Sequence, residues 1–222
     1  MQAISIEGFD IRGKGDSMKV CITDYLEDSC SKYGNKTAVQ DEHGTISFTE
    51  LKQQALELAV VISQLGDKNN PICVFLPKSK SAIVSFLAVS LSGNFYVPLD
   101  VGSPQPRIAK ILHNLKARII ITDKEHVASL ESFKGGVTVL CLEDAFAKPG
   151  TSVRRGMMDI PGPETIDTDP VYCIFTSGST GTPKGVVVSH RSVIDYIEWA
   201  RSTYQISHLD VIGNQAPFYF DN

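Results

Sequence analysis

Residues 176–185 read TSGSTGTPKG, ten positions of hydroxyls, glycines, one proline and a single lysine set between two apolar runs. The hydroxyls of Thr176, Ser177, Ser179, Thr180 and Thr182 can donate to the oxygens of an anion, and Lys184 adds a compact positive charge with three donors. Gly178, Gly181 and Gly185 put no side chain in the way, so successive backbone N–H groups can converge on one anion. Pro183 stiffens one corner and pushes Thr182 towards extended backbone. The stretch has the chemistry of a phosphate-holding loop.

Its flanks say how the loop is mounted. Residues 171–175 form a β-branched and aromatic run, and 186–188 are three valines, so the loop is expected to join two strands. A Walker-type loop runs from strand to helix as GxxxxGK followed by Ser or Thr. Here Pro183 precedes the lysine and Gly185 follows it, so that pattern fails at both places. A mobile Ser/Thr/Gly linker is the bland alternative, and two tight core strands argue against it.

Upstream, apolar segments alternate in period. Leu51, Ala55, Leu58, Ile62 and Leu65 fall on one helical face, and 72–76 is a buried strand stopped by Pro77. Residues 82–91 read as an apolar helix and 95–99 as a strand; Ile108, Ile111, Leu112 and Leu115 read as the inner face of a helix. Strands follow at 118–122 and 137–142 with a helix around 127–133 between them. This alternation predicts parallel β-α-β units with helices on both faces. The stretch 145–170 carries four prolines and no period, and is expected to be a surface connection marking a subdomain boundary. Beyond the loop, Ser189 is the expected N-cap of a helix with Val193, Ile197, Ala200 and Tyr204 on its apolar face, and 211–217 resumes as a strand.

Composition bounds the function class. At 222 residues, 42% hydrophobic and 21% charged, the chain can bury one large α/β core. A net charge of −4 gives no reason to expect nucleic acid, and no apolar run approaches the roughly 20 residues of a spanning helix. Cys21, Cys30, Cys73, Cys141 and Cys173 lack metal spacing and read as reduced packing residues of a cytoplasmic protein. The five histidines have no ligand spacing. His190 reads as structural in a first helical turn, and Trp199 as packing beside the apolar stripe.

The segment VYCIFTSGSTGTPKGV, residues 171–186, resembles the phosphate loop of the adenylate-forming superfamily, whose members include acyl-CoA synthetases, luciferases and peptide-synthetase adenylation domains. Every position of the family's Ser/Thr-Ser-Gly-Ser/Thr-Thr-Gly-x-Pro-Lys-Gly pattern is met. Other segments follow in family order: TISFTEL at 45–51 is similar to LTYxEL, LSGNFYVPLD at 91–100 to LKAGxAYVPLD, and 104–110 with Arg107 and Ile108 to PxxRIxxI. Ser92 and Asn94 depart from the usual lysine and small residue. NQAPFYFD at 214–221 resembles the stretch ending in FDxS of amino-acid adenylating members, with wording nearest to D-alanine:carrier-protein ligases.

The resemblance, over about residues 20–222, implies an α/β fold: the N-terminal part of the adenylate-forming enzyme fold, with layered sheets, helices on both faces and an incomplete C-terminus. Residues 1–18 are expected to be a loosely ordered extension and 19–222 a partial large adenylation domain. The implied site has Thr176, Ser177, Gly178, Ser179, Thr180, Gly181 and Lys184 on ATP, Lys184 as the catalytic residue within this stretch, and Asp221 on the substrate amine. The implied reaction activates an amino acid, D-alanine first, with ATP and Mg2+, and passes it to phosphopantetheine on a carrier protein. A CoA synthetase and a non-catalytic nucleotide-binding module are the alternatives. The family's adenine wall, ribose-binding acid, hinge and C-terminal catalytic lysine match nothing in 1–222, so this stretch alone is expected to bind nucleotide weakly and form no adenylate.

Overall fold

The computed structural model of the protein describes residues 4–7, 18–133, 135–147, 165–176 and 183–220. Strand β4 (Pro71–Phe75) shows how the main layer is built. Ile72, Val74 and Leu76 face one side, where they join Leu58 and Ile62 in one core, while Cys73 and Phe75 face the other and join Ile108, Ile111 and Leu112 in a second. A strand buried on both faces needs an unbroken apolar run, which is why 72–76 shows no polar alternation.

Around β4 lie β5 (Phe95–Leu99), β6 (Ile119–Thr122), β7 (Thr138–Cys141), β8 (Pro170–Thr176) and β9 (Lys184–Ser189), in the order β7-β6-β4-β5-β8-β9. The first five pair in parallel, and β9 adds antiparallel to β8. One face is covered by α2 (Phe48–Leu65), α3 (Lys80–Leu91) and the short α5 (Leu142–Ala147); the other by α4 (Gln105–Leu115) and the 3-10 turn Val127–Phe133. The predicted parallel units with helices on both faces are therefore present.

Local chemistry sets the ends of these elements. Ser47 and Glu50 form a reciprocal capping box at the start of α2, which starts the helix where β3 (Gly44–Ser47) stops. Leu51, Ala55, Leu58 and Ile62 are buried as the spacing predicts, whereas Leu65, in the last turn, is 44% exposed. The two departures from the family wording satisfy each other: Asn94 accepts from Asn70 N at 2.9 Å and donates to Ser92 Oγ at 3.0 Å, and Ser92 Oγ donates to Val89 O at 2.7 Å. Both are nearly fully buried, where unpaired polar atoms would be costly.

A second sheet runs β10-β1-β2-β3, with β1 (Ile4–Glu7), β2 (Thr37–Asp41) and β10 (Val211–Asn214), all antiparallel. It packs with α1 (Thr23–Tyr33) through Leu26, Val39, Ile46 and Phe48. Two expectations fall on these parts of the chain. Ile4–Glu7, inside the supposed loose extension, is an interior strand, because its partners β2 and β10 lie far along the chain and leave no local signal. The 145–170 connection, expected to mark a subdomain boundary, is described only in part; β7 before it and β8 after it belong to the same six-stranded layer.

Helix α6 (His190–Tyr204) starts at the predicted cap, with Ser189 Oγ accepting from Ser192 N. Its apolar stripe is only half covered. Trp199 is 51% and Tyr204 68% exposed, and the packing read for Trp199 is with the rings of Tyr196 and Tyr204 on the helix surface. No helix among the described residues is long and apolar enough to cross a membrane.

Candidate functional site

Strands β8 and β9 form a two-stranded ribbon whose last pairs are Ile174 with Val186, Phe175 with Gly185, and Thr176 with Lys184. The loop thus joins two strands, and two of its predicted anion-binding residues stand opposite each other at its mouth. Ser177, Gly178, Ser179, Thr180 and Gly181, together with Asp221, lie outside the described residues. Gly185 is required by close approach: a Cβ there would stand 2.8 Å from Cys173 Sγ and 3.0 Å from Phe175 Cζ. Lys184 is exposed and does not line the neighbouring cleft.

That cleft, of about 480 Å3, opens at the carboxyl ends of β5 and β8 and at the start of α4. Ligands of open parallel sheets bind at such strand ends, where the connections diverge to either side. Thr176, Arg107, Asp100 and Tyr219 supply its polar lining, and Ile108, Ile111 and Phe175 its apolar wall. Arg107 Nη2 donates to Phe175 O at 3.3 Å, bringing a permanent positive charge beside Thr176. Asp100 stands beside the Tyr219 hydroxyl, and burial first, then this carboxylate, pushes the tyrosine pKa up. Asp100 accepts from Gly102 N at 2.9 Å. The arrangement can receive a polyanion at the Thr176 end and a less charged group at the Tyr219 end.

Phe220 lines the same cleft, so the chain reaches it immediately before Asp221. The approach is fixed by Lys78, whose Nζ donates to Asn214 O at 2.9 Å, and by Phe218, whose ring meets Phe86 edge to face. A smaller cleft of about 290 Å3 beside Lys78 shares Asp100 and Tyr219 with the first. Asp100, Tyr219 and Lys78 were not picked out from the sequence. Asp100 closes the YVPLD wording at a strand end, which was the one available signal; the other two depend on contacts distant in the chain.

His190 is structural as expected. It is 2% exposed, and its Nδ1 accepts from Ile22 N at 3.3 Å. Burial lowers its pKa, consistent with a neutral ring. Cys21 Sγ lies 3.7 Å from the ring, but burial raises the thiol pKa, the opposite of an activated nucleophile. All five cysteines are free thiols. Among the described residues no group of three or more His, Cys, Asp or Glu could hold a metal ion.

The sequence profile described as "AMP-binding enzyme" matches residues 26–222. Tyrocidine synthase 3 of Brevibacillus parabrevis is 32% identical over 199 residues, spanning 88% of this chain and 3% of that protein. Indigoidine synthase of Dickeya dadantii (strain 3937) is 31% identical over 203 residues, spanning 88% of this chain and 13% of that protein. Among solved structures, the nonribosomal peptide synthetase FmoA3 superposes with a TM-score of 0.73 at 23% identity, over 85% of this chain and 19% of that one. VinN, solved with 3-methylaspartate, superposes with a TM-score of 0.73 at 21% identity, over 84% of this chain and 52% of that one. The chain therefore spans a minor part of the curated relatives it matches and shares the fold of these structures. On the match across 26–222, the chain belongs to the AMP-binding enzyme family.

Proposed function

We propose that the protein is an ATP-dependent ligase that activates an amino acid as its aminoacyl-adenylate and then passes it to the phosphopantetheine thiol of a carrier protein. The observation that carries this reading is the ribbon end where Thr176 faces Lys184, beside a cleft holding Arg107. In the first step the substrate carboxylate attacks the α-phosphorus of ATP, and the bond to the bridging oxygen breaks to release pyrophosphate. An anion must approach a polyanion, so the barrier is largely electrostatic. Lys184, Thr176 and residues 177–181 would hold the β- and γ-phosphates and meet the charge that moves onto pyrophosphate. Mg2+ would arrive as the counter-ion of the triphosphate, in keeping with its preference for phosphate oxygens and water.

Alanine in the D form is the amino acid to try first, on the wording of NQAPFYFD, with Asp221 receiving its ammonium. A cytoplasmic location fits ATP as substrate and five free thiols. The test is pyrophosphate exchange by the full-length protein with D-alanine, L-alanine, other amino acids and short-chain acids. Exchange driven by an amino acid supports the reading. Exchange driven only by acids without an amine would make the protein a CoA synthetase, and none with any acid would leave a nucleotide-binding module.

A further inference from the structure

We infer that Lys78 is a positioning residue for the wall of the main cleft that Tyr219 and Phe220 supply, holding residues 214–220 on the course that brings them there. The inference rests on the reading that this cleft takes the substrates, with the amino acid at its Tyr219 end, and names what keeps that end in place. Lys78 lies between β4 and α3 and is half-buried. Its Nζ donates to Asn214 O at 2.9 Å, with Asn214 Oδ1 at 3.4 Å and Ala216 O at 3.5 Å. An ammonium carries three donors, and here their acceptors all lie on one segment, 136 and 138 residues further along the chain.

The segment needs such a tie. Among the described residues β10 pairs only with β1, at the edge of the small sheet. Val211 and Ile212 are 61% and 44% exposed, so apolar burial does little to hold that strand. After Asn214 the chain is fixed again at Phe218, whose ring packs against two of the cores and meets Phe86 edge to face at 5.4 Å. Phe220 N then donates to Pro217 O at 3.2 Å in a turn. Two fixed points, the ammonium at Asn214 and the ring at Phe218, set the line on which Tyr219 and Phe220 reach the cleft.

Lys80 provides a contrast on the same connection. Its Nζ donates to His43 O at 2.9 Å and pairs with Asp41 Oδ1 at 3.2 Å, while its N–H donates to Asp41 Oδ2 at 2.9 Å. Ser79, between the two lysines, caps α3 with its Oγ accepting from Ala82 N, so both side chains leave from a fixed backbone. The lysines thus tie one connection to the two sides of the small sheet, β10 and the β2–β3 turn. Of these two partners, β10 is the one whose chain continues to the cleft.

In the full-length protein, Lys78→Ala should raise the KM for the amino acid about two- to tenfold, the scale of one hydrogen bond, with kcat and the KM for ATP little changed. Lys78→Met keeps a long unbranched stem without donors and should behave as the alanine variant, whereas Lys78→Arg should recover part of the loss. Amide hydrogen exchange within 211–220 should speed up in Lys78→Ala while 71–75 keeps its protection. Lys80→Ala should lower the urea midpoint but leave the KM for the amino acid unchanged.

Unchanged amide exchange within 211–220 in Lys78→Ala would overturn the inference, as would faster exchange there with the amino-acid KM unmoved. Full rescue by methionine, or an equal rise in KM in Lys80→Ala, would overturn it as well. Faster exchange everywhere, including 71–75, would make Lys78 merely structural and counts against it too. The reading of the cleft fails separately, if the wild-type protein exchanges pyrophosphate with no acid at all. Amide exchange within 211–220 would then still decide whether Lys78 holds this segment.

Discussion

The ring of Phe175 occupies the space that a side chain at Gly185 would need: an added Cβ would lie 3.0 Å from Phe175 Cζ, and 2.8 Å from Cys173 Sγ. The two residues are a register pair, one step inside Thr176 and Lys184, so the crowding sits at the base of the loop that joins β8 to β9. Cys173 is 1% exposed and cannot retreat, which leaves the ring to move. Gly185→Ala should therefore destabilise the protein by about 1–3 kcal/mol, the usual range for overpacking, and displace Phe175. Urea unfolding would show a lower midpoint at constant slope. Adding Cys173→Ala should restore part of it; no recovery would mean the sulfur contact is not the source.

The contrast between β4 and α6 shows what was readable from the chain. Ile72 to Leu76 declared itself because both faces of β4 are covered, so every position had to be apolar. The alternation of strand and helix then followed, as did the two strands that the loop joins. Helix α6 carries an equally regular stripe, yet Trp199 and Tyr204 stand largely exposed. Periodicity tells which face is apolar, not what covers it. Strand Ile4–Glu7 was missed because four residues carry little signal without their distant partners at 37–41 and 211–214. At the candidate site, Thr176 and Lys184 were legible as the two ends of the loop, which the strand register sets opposite each other. The proximity of Tyr219 to Asp100 and the reach of Arg107 to Phe175 were not, because only the folded chain brings those pairs together.

Lys184 and Thr176 face each other, but a charged donor and a neutral hydroxyl should not count equally. In the full-length protein Lys184→Ala should slow pyrophosphate exchange more than it weakens amino-acid binding, because on the proposed function the lysine would meet charge that develops on the leaving pyrophosphate. Loss of one charge-assisted donor is worth about 1.5–3 kcal/mol, or roughly 10- to 150-fold in rate. Thr176→Ala should cost less, its neighbours replacing it in part. Full exchange rates in both variants would remove the loop from the phosphate clamp.

Stability should depend on pH through His190. Its Nδ1 accepts a hydrogen bond from Ile22 N, and burial holds its pKa below the ordinary imidazole value, against the pull of Asp169 and Asp24. Above about pH 6.5 the ring is neutral in both folded and unfolded chains and contributes no slope. As pH falls through that value the unfolded chain takes up a proton that the folded chain resists, so stability drops, by at most about 1.4 kcal/mol per unit. Urea midpoints at pH 7.5, 6.5 and 5.5 should fall in that order for the wild type. His190→Gln should lower all three midpoints but flatten the trend; an unchanged trend would assign it to other groups.

On the proposed function, Asp221 is the residue expected to separate the substrate classes. An amino acid entering a largely apolar pocket brings an ammonium whose burial without a partner costs several kcal/mol, so the site needs a carboxylate. Asp221 follows Phe218, Tyr219 and Phe220, of which the last two line the main cleft, and water excluded by aromatic walls strengthens a charge pair. Asp221→Ala should therefore lower amino-acid activation by roughly 100-fold to several thousand-fold, the range of a broken buried pair of about 3–5 kcal/mol, and leave ATP affinity nearly unchanged. Propionate brings no ammonium, so its relative rate against alanine should rise in the variant. The measurement is exchange kinetics with both substrates for both proteins. Equal losses for alanine and propionate would take Asp221 out of the amine site and put a CoA synthetase ahead of an amino-acid ligase.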